Sequence, residues 1–181
     1  MGKVIVSTQM TVDGVIDRID EWFTPAGEHE ESGSFDQLFA ADALLLGRKT
    51  YEGLASVWPT ITDTRGFADR VNGMPKFVIS RTLQGPLEWN ASLLEGTLAE
   101  AISELRQRHT GNLVSYGCGE LAHHLATQGL VDEIRFWVHP VILGHGTRPF
   151  HSLEPPVHLT LTGTTTYRSG VTLLTYRPNP K

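Results

Sequence analysis

Three short stretches of this 181-residue chain pass from apolar residues straight into groups suited to binding anions: LLLGRKTYE (Leu44 to Glu52), VISRT (Val78 to Thr82) and VSYGCGEL (Val114 to Leu121). In open α/β sheets, ligands sit beyond the carboxyl ends of the strands, so three such ends suit one extended ligand with several anionic groups. In the third stretch, Gly117 and Gly119 let backbone N–H groups approach a pyrophosphate, and the helix that follows aims its free N–H groups at the same point. The third glycine of the Rossmann fingerprint is missing, and a plain tight strand-to-helix turn would use the same residues. In the first stretch, Arg48 can grip a phosphate with two N–H groups, and the Thr50 hydroxyl lies beside a helix start. In the second, Ser80 precedes Arg81, and an arginine there can accept a ribose 2′-phosphate, favouring NADPH over NADH. Taken singly, each also reads as a solvated arginine or an ordinary helix-start hydroxyl.

These residues need strands to carry them and helices to start beside them. Lys3 to Met10 is rich in β-branched residues and runs into a turn at Asp13-Gly14, and Asp20 to Gly33 is read as a surface loop. Ser34 is placed as the cap of a helix carrying Phe35, Leu38 and Phe39. Ala43 to Leu46 is uninterrupted apolar sequence, as expected of a strand covered on both faces. Gly47 ends it, and a helix over Lys49 to Ser56 is closed by Trp58-Pro59. Thr60 to Gly73 is polar and carries no periodicity. Further strands are expected at Lys76 to Ser80, Asn112 to Tyr116 and Ile134 to Leu143. Helices are expected around Leu98, Ile102 and Leu105 and over Leu121 to Gln128, the latter capped by Gly129. Val157 to Thr166 and Val171 to Arg177 flank a hairpin turn. Alternating strands and helices imply right-handed crossovers and a largely parallel sheet, to which the terminal hairpin adds antiparallel strands, all in one domain.

Composition narrows the function classes. Hydrophobic residues make up 40% and charged residues 19%, which is ordinary for a globular chain. The net charge of -5 provides no basic face for nucleic acid, so an anionic ligand must be held by local donors. No apolar run approaches the ~20 residues of a membrane span, and the first residues lack a signal-peptide layout. The single cysteine, Cys118, forbids an intramolecular disulfide and suits a cytoplasmic setting, where the Asn90-Ala91-Ser92 glycosylation pattern is idle.

Other reactive side chains carry weaker patterns. His123 and His124 are adjacent, so on a helix they are expected to point apart, and His139, His145 and His151 lack the carboxylate-histidine spacing of a zinc enzyme. No metal is expected. Cys118 sits where a thiol pKa can fall, but a small side chain lining a phosphate loop explains it without a nucleophilic role. Trp58 is the tryptophan placed to stack on a substrate, because it follows the helix that carries Arg48 and Thr50.

LLLGRKTYE, KFVISRT and VSYGCGEL, in this order and at these intervals, resemble the cofactor-binding segments of the dihydrofolate reductase superfamily. TVDGVID (Thr11 to Asp17) and VDEIRFWVHPVILGHGTRPF (Val131 to Phe150) make the riboflavin-biosynthesis reductases the nearer branch. The resemblance spans Lys3 to Tyr176. It implies a three-layer α/β fold, with a mixed, mostly parallel sheet between helices and a C-terminal antiparallel hairpin. It also implies NADPH-dependent reduction of a ribosylamino-pyrimidine or similar heterocycle, as by 5-amino-6-(5-phosphoribosylamino)uracil reductase. Gly47, Arg48 and Thr50 would hold cofactor phosphates, and Ser80 and Arg81 the adenosine ribose with its 2′-phosphate. Gly117, Cys118, Gly119, Glu120 and Leu121 would cradle the pyrophosphate. Val15 and Ile16 would lie near the nicotinamide, with Thr11 and Asp13 on the substrate side. GHGTRPF (Gly144 to Phe150) would take part in a homodimer contact.

The chain departs from its relatives in two respects. The zinc deaminase often fused to such enzymes needs a cysteine pair, which these residues lack. Folate enzymes protonate the pterin from a carboxylate on the helix after the first loop, and here Glu31 and Asp36 are the nearest candidates without a matching motif. A folate-type reductase and a non-catalytic NADP(H)-binding protein remain the alternatives.

Overall fold

In the computed structural model, the Val4–Thr11 strand (β1) sends alternate side chains to two separate cores. Val4 and Val6 join Leu105 and Leu125, while Ile5 joins Leu38 and Tyr51. The structure describes residues 2–23, 28–62, 65–150 and 154–180, with backbone alone at 28–32. The uninterrupted apolar run behaves as its composition requires. In β2 (Ala41–Gly47), Leu45 faces the first core and Leu44 and Leu46 the second, all at most 1% exposed. Each such leucine stabilises the fold by ~1.5–3 kcal/mol relative to exposure.

Eight strands form one sheet, in the order β4-β3-β2-β5-β1-β6-β8-β7. β3 (Lys76–Ile79), β4 (Ala91–Leu93), β5 (Asn112–Tyr116) and β6 (Glu133–His139) run parallel with β1 and β2. β7 (Leu159–Thr166) and β8 (Thr172–Pro178) add the antiparallel hairpin at one edge. One face is covered by α5 (Leu98–Arg108) and α6 (Glu120–Thr127), the other by α2 (Glu28–Phe39), α3 (Arg48–Val57) and α4 (Phe67–Gly73). The result is the expected three-layer, mostly parallel α/β arrangement.

Local chemistry sets the element ends. Thr97 and Glu100 cap α5 reciprocally, the Glu100 N–H donating to Thr97 Oγ1 at 3.3 Å and the Thr97 N–H to Glu100 Oε2 at 3.0 Å. Gly129, at φ 69°, closes the turn after α6 as a C-terminal glycine should.

Several boundaries differ from the sequence reading. The segment read as a loop holds α1 (Ile19–Trp22), anchored by buried Trp22, whose indole N–H donates to the Asp17 carbonyl at 2.6 Å. α2 starts at Glu28, so Ser34 lies inside the helix rather than capping it. Glutamate is a good helix former and stabilises a first turn, so no serine cap was needed. The aperiodic stretch contains a 3₁₀ turn (Trp58–Thr60) and α4, a helix with Ala68 and Val71 buried. β6 stops at His139 because Pro140 has no N–H to continue the ladder. Among the described residues, no helix is long and apolar enough to cross a membrane.

Candidate functional site

The carboxyl ends of β2, β3 and β5 meet at one edge of the sheet. Gly47 directly precedes α3, and a Cβ there would stand 3.5 Å from Leu121 Cβ, so the ends of β2 and the start of α6 are in contact. Gly117 has φ 86°, a left-handed conformation that favours glycine, and its missing Cβ would lie 3.7 Å from Thr50 Oγ1. Arg48 donates from Nη1 to Thr82 Oγ1 at 2.9 Å and from Nε to Glu52 Oε1 at 2.8 Å, tying α3 to the loop after β3. In that loop, Ser80 Oγ accepts from the N–H groups of Thr82 at 3.1 Å and Leu83 at 3.0 Å. This turn leaves Arg81 exposed. All three strand ends singled out from the sequence therefore converge.

A cleft of about 230 Å³ opens at the convergence. Arg81 enters from the β3 side, Cys118 and Gly119 from the β5 side, and Glu120, His123 and His124 from α6, with Phe150 closing one wall. Gly119 is the N-cap of α6 without a side-chain cap, and a Cβ there would meet nothing within 4 Å. The amides that start α6 thus keep the positive end of the helix dipole beside the cleft, and Glu120 adds the one carboxylate. Cys118 is 4% exposed, and burial pushes its thiol up to about 12, with the Thr8 hydroxyl opposing weakly. A thiol held protonated in this way lines the cleft and is no nucleophile. The two histidines do not point apart as expected: their rings lie 5.6 Å from each other, edge to face, and both line this cleft. Among the described residues, no group of three or more metal-ligating side chains occurs, and His151 lies outside them.

The ends of β1 and β6 are built differently. Thr11 is fully buried, donates to Asp13 Oδ1 at 2.6 Å and accepts from the Val15 N–H at 2.9 Å. Asp13 also accepts from the N–H groups of Leu143 at 3.1 Å and Gly144 at 2.9 Å. The Thr11 hydroxyl first, then these two amides, hold its carboxyl down at about 2. Asp17 accepts from the Thr147 N–H and hydroxyl, at 2.9 and 2.7 Å, and lies below the usual carboxylate range for that reason. The Ile16 N–H donates to the Thr147 carbonyl at 3.0 Å, and Val15 is buried. Thr11, Asp13, Val15 and Ile16 are thus joined to the loop after β6.

This fold occurs in known proteins. The model of the RibD C-terminal domain family matches residues 2–173. The chain belongs to that family. It is 27% identical over 180 residues to the uncharacterized protein YyaP of Bacillus subtilis (strain 168), covering 98% of this chain and 95% of that one. It is 24% identical over 174 residues to the uncharacterized YwjB of the same organism, covering 94% and 95%. Its structure superposes on that of a putative riboflavin biosynthesis protein from Shewanella sp. PV-4, with TM-score 0.78, 21% identity and coverage of 98% and 99%. Acinetobacter baumannii RibD gives TM-score 0.69 at 15% identity, covering 99% of this chain and 58% of that one. The fold is dihydrofolate reductase-like.

Within that family fold, other residues singled out from the sequence fall elsewhere. The Trp58 ring packs 5.7 Å from Phe67, which in turn meets Phe35 at 4.9 Å, so Trp58 belongs to an aromatic cluster joining α4 to α2 and does not line the cleft. Asp36 is exposed on α2, and the Glu31 side chain lies outside the described residues. The sequence reading missed a polar set on the α2 face of the sheet. Arg135 donates to Gln37 Oε1 at 3.1 Å, Trp137 to Ser7 Oγ at 3.1 Å, and His139 Nε2 pairs with Gln9 Oε1 at 2.7 Å. Burial lowers the pKa of His139, which is 3% exposed beside Trp22 and Phe23. The signal was present: Glu133, Arg135, Trp137 and His139 alternate along β6, and such alternation puts them on one face.

Proposed function

We propose that this protein is an NADPH-dependent oxidoreductase that reduces a small heterocyclic or ribosylamino-pyrimidine-like substrate. The reading extends to a cytoplasmic protein that pairs as a homodimer through Gly144 to Phe150. One observation carries the enzymatic reading. The β3 and β5 ends, each with an anion-binding residue type, meet at the cleft between Arg81 and Gly119, and the β2 end adjoins them through Gly47 and Arg48. The residues fit the anionic parts of a dinucleotide. Gly119 leaves open space at an uncapped helix start, and Arg81 offers an exposed guanidinium across the cleft. The Shewanella neighbour is a putative riboflavin biosynthesis protein, which favours the same substrate class.

NADPH, when bound, supplies the hydride; the protein supplies position and electrostatics. Arg48 is already fixed by Glu52 and Thr82, so it can add charge near a phosphate without an ordering cost. The laced loops hold Val15 and Ile16 after β1, where a flat ring would rest against the partly exposed Ile16, backed by buried Val15. Asp13 stays ionised and bonded to three donors, so it holds the two loops that frame the substrate side and does not release a proton.

The test is a thermal-shift titration of folded protein with NADPH, NADH and NADP+. A ligand at ~100 times its Kd stabilises by ~2.7 kcal/mol, a readily measured rise in Tm. NADPH should shift Tm more than NADH, and substrate-dependent loss of NADPH absorbance should follow with a ribosylamino-pyrimidine. Absence of any shift would remove the cofactor assignment; a shift without turnover on pyrimidine, pterin or carbonyl substrates would leave a binding protein.

A further inference from the structure

We propose that Gly146 is a positioning residue: its missing side chain lets the loop after β6 close on Val15 and Asp17, and that closure sets the Ile16 wall against which a nicotinamide would rest. This rests on the reductase reading above and deepens it by naming what fixes the wall. Gly146 has φ 121°, and a Cβ there would stand 2.5 Å from Val15 Cγ1 and 2.6 Å from Asp17 Oδ1. Gly144, two residues earlier, has φ 81° and open space around its missing Cβ. Both glycines adopt a backbone conformation that side chains disfavour, but of the two only Gly146 is pressed against its neighbours.

Neither neighbour yields easily. Val15 is fully buried, and its β-branched side chain is stiff at χ1. Its backbone is bonded twice to Thr11, the N–H to Oγ1 at 2.9 Å and the carbonyl to the Thr11 N–H at 3.0 Å. Asp17 Oδ1 accepts from the Thr147 N–H at 2.9 Å, and Oδ2 from the Thr147 hydroxyl at 2.7 Å. A methyl group at position 146 therefore lifts the loop after β6 instead. Thr147 goes with it, and its carbonyl is the acceptor of the Ile16 N–H at 3.0 Å. Ile16 loses that bond, and Asp17 loses both that it accepts from Thr147.

The shift reaches the site through the wall and not through the cleft. Ile16 is partly exposed, so its position is set by its backbone bond more than by enclosing side chains. The Asp17 carbonyl accepts from the Trp22 indole at 2.6 Å, so the same movement loosens α1. A flat ring is held on such a wall by dispersion, and a gap of ~0.5–1 Å forfeits about a quarter to a half of that attraction. The groups facing the phosphates, Arg81 and the start of α6, stand on other loops and keep their places. Gly146 thus governs the ring end of the ligand and leaves its phosphate end alone.

The experiment measures, by calorimetry on the full chain, the affinities for NADPH and for adenosine 2′,5′-bisphosphate, which lacks the nicotinamide half. Gly146→Ala should weaken NADPH about tenfold, within the range that an unaccommodated methyl group produces, and leave the bisphosphate within about twofold. The fluorescence of bound reduced nicotinamide, which an apolar wall shields from water, should fall toward that of the free cofactor. Gly144→Ala carries backbone strain alone and should weaken NADPH less; an equal loss would make strain the cause and overturn the contact. Val15→Ala added to Gly146→Ala removes the obstructing methyl and should recover about threefold of the lost NADPH affinity, a coupling expected only of residues that touch. Circular dichroism melting confirms that each variant is folded. Where Gly146→Ala does not fold, Thr147→Val, which drops one bond to Asp17 without adding bulk, should narrow the ratio of the two affinities, and an unchanged ratio would overturn the proposal. If folded Gly146→Ala binds NADPH as the wild type does, the positioning role is wrong while the reductase reading stands. If folded wild type binds neither ligand, both fall together.

Discussion

The loops after β1 and β6 bond their polar side chains to one another, while those after β3 and β5 leave Arg81, Glu120, His123 and His124 facing an open cleft. Both sets leave the same edge of the sheet. In the first set the Thr11 hydroxyl both donates and accepts, and Asp13 accepts three times. In the second, a serine hydroxyl folds the loop while the arginine beside it stays unpaired. Polar residues at a strand end are thus of two kinds. Saturated groups hold loops in place; unsaturated ones are left for a ligand.

The sharpest way to break this distinction is Thr11→Val. A buried hydroxyl with two partners would be lost, leaving the Val15 N–H without an acceptor, at a cost of ~1–3 kcal/mol. Chemical denaturation should show that loss, with dinucleotide affinity unchanged. A variant of undiminished stability that had lost only turnover would instead make this loop chemical rather than structural. Next in size is Arg81→Ala. Loss of one charge-assisted contact of ~1.5 kcal/mol corresponds to about tenfold weaker NADPH binding. The Tm of the free protein should not move, since this guanidinium is exposed and bonds nothing among the described residues. Arg48→Ala should cost less NADPH affinity than Arg81→Ala, because Glu52 already offsets part of its charge.

Asp13 sharpens the contrast through pH. Its folded-state pKa, about 2, is depressed from 3.8, so between these values the folded protein binds fewer protons than the unfolded chain. The group's contribution to stability is complete above pH 3.8 and disappears as pH falls through about 2. Asp13→Asn should flatten that part of the acid-unfolding profile, and should lower Tm at neutral pH by the share of the acid loss that Asp13 carries. An unchanged profile would mean that the carboxylate does not staple the two loops.

The same contrast explains what could be read from the sequence. Leu44 to Leu46 announced a doubly covered strand because three consecutive apolar residues leave no other economical placement, and Gly47 announced its end. The cleft side of the site followed from local rules, since Ser80, Arg81, Gly117 and Gly119 all lie within three residues of a strand end. β4 was invisible: Ala91 to Leu93 is too short to show a period. The start of α2 was hidden because its glutamates form no apolar stripe. The task of Asp13 was hidden for a different reason. Its partners Leu143 and Gly144 lie 130 and 131 residues away, and no local pattern encodes such a pairing. The histidine pair was misjudged because adjacent helical residues were expected to diverge, whereas a cleft running along the helix start takes in both.

Cys118 provides the smallest effect and the most direct comparison, since it sits in the open half yet behaves like a residue of the closed one. It borders the cleft between two glycines but is 4% exposed, and its side chain packs with Ala122 and Leu125. With the thiol pushed up to about 12, roughly one molecule in ten thousand carries a thiolate at pH 8. Iodoacetamide should therefore leave the folded protein unmodified over a time in which free cysteine reacts completely, and should label it fully in denaturant. Cys118→Ala should cost about 1 kcal/mol or less, the sulfur's share of a small buried contact, and leave NADPH affinity unchanged. Rapid labelling of the native protein, blocked by NADPH, would show that the wall of the cleft opens in solution. The pyrophosphate loop would then be mobile in the free protein, and the division between a laced half and an open half would have to include motion as well as hydrogen bonding.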